Sequence, residues 1–180
     1  MYITFTELAE RPGAREIAQV ASQFNQAVRD DALMDATLRG TDRSAWTPEQ
    51  IADADAALSR VSDAIGEAGA LIDGFLVQRG YTLPLALPPA SAGKTVLASW
   101  ARSITRYLLN QHRITDESKD PVARDYRDAL KMLGLLAQGK FSLGGADPAA
   151  DPNGPAATST DVRFSGDVNV FGRDQLRHFR

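Results

Sequence analysis

Cysteine is absent from the 180 residues, and histidine occurs only twice. Without cysteine the chain can form no disulfide and no thiolate metal site or nucleophile, which suits a reducing compartment. His112 and His178 have no partner at metal-ligand spacing. We therefore expect neither a metal site nor a bound cofactor.

Long apolar runs and a strong charge imbalance are also missing. No stretch approaches the roughly 18 apolar residues that would span a bilayer. The first residues, "MYITFTELAERPG", lack the basic and then apolar segments of a signal peptide. The formal net charge of −3 gives no overall attraction to nucleic acid or anionic membranes. We expect a protein without a membrane partner, used in a cytoplasm or released by a route other than secretion.

Catalytic groups are scarce in the sequence. Asp53, Asp55 and Asp63 fall on a predicted helix without a histidine or a glycine-rich loop nearby, which is typical of surface carboxylates. No Gly-x-Ser-x-Gly motif occurs. The sequence therefore favours a protein that is not an enzyme.

Gly93-Lys94-Thr95 resembles the end of a phosphate-binding loop. That loop needs a glycine five positions before its second glycine, and Pro88 occupies that position. The prolines of "YTLPLALPP" also disfavour the strand that should precede such a loop. We predict instead that Ser91 caps a helix, and a nucleotide hydrolase that uses Lys94 is the least favoured hypothesis.

Hydrophobic periodicity and helix-capping residues predict a mainly α-helical fold. Near the N-terminus, Thr6 is expected to cap a first turn that Pro12-Gly13 ends. Two short helical segments, "AREIAQVAS" and "DALMDATLRG", are expected to follow. These pieces would cover one end of a larger helical core.

A long helix is predicted from Thr47, whose capping box with Gln50 also has Pro48 at the first helical position, to Gly80. Gly66, Gly69 and Gly74 interrupt it and indicate a bend or close packing. The apolar positions recur mostly three or four residues apart: Ile51, Ala54, Leu58, Val61, Ile65, Ala68, Ile72, Phe75 and Leu76.

The next helix, predicted over residues 92–112, has an apolar side and a basic side. The apolar side comprises Leu97, Trp100, Ile104, Tyr107 and Leu108. The basic residues are interpreted either as an ordinary solvated face or as a surface for phosphate or an acidic partner subunit. They are a candidate channel or subunit-interface stripe: Lys94, Arg102, Arg106 and Arg113.

Asp120 and Pro121 begin a last helix, which is expected to end at Gly139. Its apolar side comprises Val122, Tyr126, Ala129, Leu133 and Leu136. Because amphipathic helices with short connections must bury their apolar faces together, residues 1–143 are predicted to form one small helical bundle.

The composition changes after residue 143. Residues 144–160 contain no large apolar residue and are predicted to be a flexible linker. Residues 161–180 regain a pattern and predict a short β-hairpin followed by a helical turn. A frayed tail is one interpretation, but the apolar content favours an arm that folds on a portal or neighbouring subunit. The arm's predicted binding residues are Val162, Phe164, Val168, Val170, Phe171, Leu176 and Phe179.

Three segments carry a family resemblance. "IDGFLVQRGYTLPLALPP" (72–89), "WARSITRYLLN" (100–110) and "YRDALKMLGLLAQGKFSLG" (126–144), in this order and spacing, resemble the family of phage Mu-like virion proteins. The resemblance spans roughly residues 1–145. It departs from the family pattern at Gly80, inserted between Arg79 and Tyr81, and at the longer helix end "RYLLN".

The resemblance implies a head-to-tail connector, or adaptor, of a tailed bacteriophage. Such a protein forms a ring, expected to be a dodecamer, under the portal protein and contacts a tail-side neck or stopper protein. Double-stranded DNA passes through its channel without sequence specificity. The expected location is the virion neck, after assembly in the host cytoplasm.

The alternative left by the residues alone is a nucleic-acid-binding packaging accessory protein. In that case the arginines of the basic stripe would grip phosphate directly, and affinity would fall steeply with salt. Docking through apolar arm residues would persist at high salt.

Overall fold

The computed structural model describes residues 1–23, 26–88 and 90–144. The helices in these ranges are α1 (Phe5–Leu8), α2 (Ala14–Ala21), α3 (Asp31–Arg39), α4 (Pro48–Arg79), α5 (Ala92–Asn110) and α6 (Pro121–Ala137). A π-helical segment, Ala9–Gly13, joins α1 to α2. In the described ranges the only β pairing is an isolated bridge between Gln23 and Gln26. The prediction of a mainly α fold is confirmed, whereas the predicted hairpin and helical turn of 161–180 lie outside the described residues.

Capping side chains set most helix starts where the sequence predicts them. The Thr47 hydroxyl accepts from the Gln50 amide at 3.3 Å, and the Gln50 side chain accepts from the Thr47 amide at 2.9 Å. Asp120 caps α6 by accepting from the Val122 and Ala123 amides. These side chains satisfy amides that have no partner within the helix.

The predicted cap of the first helix is wrong by two residues. Thr4, rather than Thr6, caps α1: its hydroxyl accepts from the Glu7 amide at 3.2 Å, and the Glu7 carboxylate accepts from the Thr4 amide at 2.7 Å. Thr6 lies inside the helix. The reciprocal pair with Glu7 explains the choice, because it satisfies two amides at once.

Helix α4 packs against α5 and α6 in one bundle, and α2 and α3 pack against α4. Fully buried side chains from each bundle helix meet in the core, among them Ile72, Leu76, Ile104, Leu133 and Leu136. Most predicted core positions are buried. The predicted apolar residues that are instead half-buried are Ile51, Leu58, Phe75, Tyr107, Leu108, Val122 and Tyr126. The rings of Tyr107 and Tyr126 stack with centroids 4.0 Å apart.

The ends of the bundle helices fix their relative directions. Gly139, just after α6, lies so close to Arg79 at the end of α4 that a Cβ there would be 2.9 Å from Nη1. The C-terminal ends of α4 and α6 therefore meet, and the two helices run parallel. Gly93, at the start of α5, touches Leu143, which follows α6, so α5 runs antiparallel to both.

The glycines inside α4 do not serve close packing within the described chain. A Cβ added at Gly66, Gly69 or Gly74 would meet no atom within 4 Å. Gly66 and Gly74 are exposed. Their small size is therefore not needed by the fold of the described part of the subunit.

Candidate functional site

The Gly93-Lys94-Thr95 segment forms the first turn of α5. The Ser91 hydroxyl accepts from the Lys94 amide at 3.3 Å, as expected of the predicted cap. The connector over residues 83–88 contains no strand, so these residues lack the strand-loop-helix context of a phosphate-binding loop. Gly93 has a packing role, because a Cβ there would be 2.5 Å from the Leu143 carbonyl oxygen.

A cleft of about 590 Å³ lies beside this turn. Its lining includes Met1, Leu83 and Lys94 together with Tyr2 and Asp73. The Tyr2 hydroxyl donates a hydrogen bond to the Asp73 carboxylate. Burial raises the pKa of the Tyr2 hydroxyl, and the hydrogen bond and charge of Asp73 raise it further, so the hydroxyl stays protonated at neutral pH. The pair joins the N-terminus to α4.

Arg106, a member of the predicted basic stripe, binds another part of the chain. Its Nε donates to Glu16 Oε1 at 2.7 Å, and its Nη2 donates to Glu16 Oε2 at 3.1 Å. Asp125 Oδ2 lies 4.0 Å from Nη1. This bidentate pair connects α5 to α2 and neutralises an arginine that the sequence pattern assigns to the basic side of α5.

The other two arginines of the stripe, Arg102 and Arg113, do not lie on one exposed face of α5 either. Helix α5 ends at Asn110, two residues before the predicted end, so Arg113 lies in the following turn. Its Nη1 donates to the Gln19 carbonyl at 3.0 Å, which again connects this region to α2. Arg102 is half-buried and forms no hydrogen bond or ion pair with another described residue.

The four predicted basic residues do not form one patch. Lys94 is exposed at the start of α5, about 18 Å along the helix axis from Arg106. Arg106 and Arg113 both face α2. The structure thus gives Arg106 and Arg113 a role in packing and leaves Lys94 beside the cleft.

A second groove, of about 750 Å³, lies where α2, α4 and the end of α5 meet. Leu108 and Leu109 contribute apolar surface, and His112 and Arg113 lie at its α5 side. The Arg60 Nε donates to the Ala21 carbonyl across this groove. The groove has apolar and charged walls.

The three predicted surface aspartates occupy separate positions. Asp55 pairs with Arg43 and is exposed. Asp63 is exposed beside the second groove, and Asp53 lines a smaller cavity. Over residues 1–23, 26–88 and 90–144, no three acidic or histidine side chains converge as a metal site would require. Within the same ranges no helix has the length and hydropathy needed to cross a membrane.

Comparison with known proteins identifies the family. The family model described as "Bacteriophage Mu, Gp36" matches residues 2–162. The chain belongs to the bacteriophage Mu Gp36 family. A relative, "Mu-like prophage FluMu protein gp36" from Haemophilus influenzae, is 34% identical over 153 residues, covering 85% of this chain and 96% of the relative. No solved structure matches the chain.

The Gp36 family match extends beyond the resemblance noted in the sequence. That resemblance ends near residue 145, whereas the family match reaches residue 162 and takes in the predicted linker. The predicted binding residues of the arm, Val162 to Phe179, lie outside the described residues. Their role remains a prediction.

The sequence reasoning missed a second charged surface in this Gp36-family chain. Arg124, Arg127 and Lys131 lie on the exposed side of α6. Their spacing of three, four and seven residues is the signal that reveals one helical face.

Proposed function

We propose that this Gp36-family protein is a structural head-to-tail connector of a tailed bacteriophage. It forms a ring under the portal protein, extends the DNA channel and joins the capsid to a tail-side neck or stopper protein. The virion neck is its location, after assembly in the host cytoplasm. Membership of a bacteriophage Mu family supports the proposal, since it makes this a phage protein.

The structural observation that carries the proposal is the packing of Leu143, near the end of the described chain, on the start of α5. Leu143 is 5% exposed, and its carbonyl packs on Gly93 at the start of α5. Residue 144, the last described residue, therefore follows directly at the end of the bundle where α4 and α6 also end. An apolar segment tethered at one end of a helical bundle is suited to join that end to a partner.

Deleting residues 161–180 tests this function. We expect the truncated protein to keep its helical circular dichroism, since the described bundle ends at residue 144, and to lose binding to the portal protein of its own phage. Co-sedimentation of purified protein with purified portal measures the binding. A full-length double variant, Thr158→Ala with Ser159→Ala, is the matched control, because it changes the linker and keeps every apolar residue of the arm. Undiminished binding by the truncated protein would remove the arm from the mechanism.

Electron microscopy of the complex tests the location and the ring. We expect a ring with the symmetry of the portal at the neck of assembled virions. Virions that lack this polypeptide at the neck would contradict the proposed function. That outcome would not depend on which residues form the contacts.

The accessory nucleic-acid-binding function has little support from the predicted basic stripe. Arg106 is already neutralised by Glu16, and Lys94 lies far from Arg113. Phosphate binding would need several free cations in one place. A titration with duplex DNA at increasing salt discriminates between the functions, since a steep loss of affinity indicates phosphate contacts and an absence of binding supports the connector.

A further inference from the structure

We propose that the exposed face of α4 in one copy of this chain binds the exposed face of α6 in a second copy, with the two helices parallel. This contact would join neighbouring subunits of the proposed ring. Only the closure of many copies into a ring rests on the proposed function. It has polar and apolar parts, and both follow from the outward-facing residues of the described bundle.

The α4 face is acidic in its middle and apolar towards its end. Asp63 and Glu67 are exposed and form no hydrogen bond or ion pair with another described residue. One turn further, Leu71 is 37% exposed, and Val77 is 58% exposed. Gly74 lies between these two apolar residues, and a Cβ there would meet no atom within 4 Å, so another backbone can approach closely at this point.

The α6 face has the opposite charge. Lys131 is exposed and has no ion-pair partner among the described residues. Arg127 is exposed and donates only to carbonyls, at 3.3 Å to Ala123 and at 3.0 Å to Glu117, so no carboxylate neutralises it. Asp128 also lies on this side, and Arg124 pairs with Asp125, so the uncompensated positive charge is centred on Arg127 and Lys131.

The two faces have the same spacing along their helices. On α4 the row is Asp63, Glu67 and Leu71, and on α6 it is Arg127, Lys131 and the half-buried Leu135. With the helices parallel, Asp63 lies level with Arg127, Glu67 with Lys131 and Leu71 with Leu135, because both rows rise by the same amount, about 1.5 Å per residue. An antiparallel arrangement would place an acid against a leucine.

The direction of the helices within the subunit agrees with a cyclic arrangement. Because α4 and α6 run parallel in one subunit, rotation about an axis along the bundle keeps α4 of one copy parallel to α6 of the next. The two faces belong to different helices, so the contact is heterologous, as a ring requires. A two-fold dimer that joined the acidic middle of α4 to its own copy would place Asp63 and Glu67 against like charges.

Site-specific disulfides test this contact directly, since the native chain has no cysteine. Full-length Glu67→Cys protein is mixed with full-length Lys131→Cys protein at high concentration and oxidised, and the products are separated without reductant. We expect the mixed disulfide to exceed both symmetric disulfides. The matched control replaces the Glu67→Cys partner with Arg15→Cys, whose side chain is 79% exposed on α2.

Charge reversal supplies the second measurement. Asp63→Lys in the first chain, or Arg127→Glu in the second, is expected to lower the yield of the mixed disulfide about five-fold, and both changes together are expected to restore it. Recovery in the double change excludes misfolding as the cause of the loss. A mixed disulfide at or below the control level, or a yield that does not respond to charge reversal, overturns the contact.

The tests of the contact and of the function are separable. The disulfide experiment uses only this chain, so its failure rejects the α4–α6 contact and leaves the neck location to be judged by microscopy. Absence of the protein from the neck rejects the connector function and leaves the contact between copies to be judged by its disulfides.

Discussion

Replacing Gly93 with alanine should destabilise the bundle, although alanine normally favours a helix. The new Cβ would lie 2.5 Å from the Leu143 carbonyl oxygen and 3.2 Å from its Cβ. An ordinary contact begins near 3.4 Å, so the segment that follows α6 must move. That segment is part of the core: Leu143 is 5% exposed, and Phe141 packs on Trp100 with ring centroids 5.7 Å apart.

The magnitude follows from two opposing effects. Overpacking at a buried contact costs about 1–3 kcal/mol. The gain in helix propensity offsets at most about 1 kcal/mol of this cost. We expect a net loss of about 1–2 kcal/mol in the free energy of unfolding, or a fall in Tm of about 3–6 °C for a chain of this length.

Gly69→Ala is the matched control for Gly93→Ala. Gly69 also lies in a helix, and a Cβ there would meet no atom within 4 Å. We expect this variant to gain up to about 1 kcal/mol and to raise the Tm by about 2–4 °C. Thermal unfolding followed by far-ultraviolet circular dichroism measures both. A Tm that rises equally in the two variants would refute the packing of Leu143 on Gly93.

Two further changes test the side-chain geometry. Glu16→Gln should lower the free energy of unfolding by about 1–2 kcal/mol in urea titrations, because Arg106 loses a charged bidentate partner. Arg15→Gln, which alters an exposed pair, should change the free energy of unfolding by less than about 0.5 kcal/mol. Equal effects of the two substitutions would contradict a special role for the Arg106 pair. The hydrogen bond from Trp46 lowers the pKa of the Asp30 carboxyl, so Trp46→Phe should raise that pKa in NMR titrations. Because the pKa of Asp30 is lowered in the folded state, this carboxyl stabilises the fold at pH values above its unfolded-state pKa, and the stabilisation is lost as the pH falls through the folded-state pKa. Trp46→Phe should therefore destabilise the protein more at neutral pH than in acid. A destabilisation that does not depend on pH would contradict this reasoning.

Local sequence rules predicted the helices well where a few neighbouring side chains determine the result. Thr47, Gln50 and Pro48 specify the start of α4, because a capping box acts over three residues. The expected cap at Thr6 was wrong because the same rule favours Thr4, which has Glu7 three residues later and forms the reciprocal pair with it. Such a choice depends on which reciprocal hydrogen bond forms, and a scan for capping residues alone does not weigh it.

The interaction surfaces, in contrast, depend on contacts between helices that local sequence rules do not predict. A wheel projection places Arg102, Arg106 and Arg113 together, but it cannot show that α2 brings Glu16 and the Gln19 carbonyl to two of them. The exposed row on α6 was visible in the sequence as a spacing of basic residues. Only the bundle shows that this row lies on the side of α6 that faces outward.

By itself the sequence determined the helices, their approximate ends and the family, because caps, periodicity and family motifs act along the chain. Only the tertiary structure decided which charges are neutralised within the subunit and which remain exposed. The same applies to Gly93, whose small size is explained by Leu143, fifty residues away in the sequence. Long-range contacts of this kind arise from packing between helices, and no local pattern specifies them.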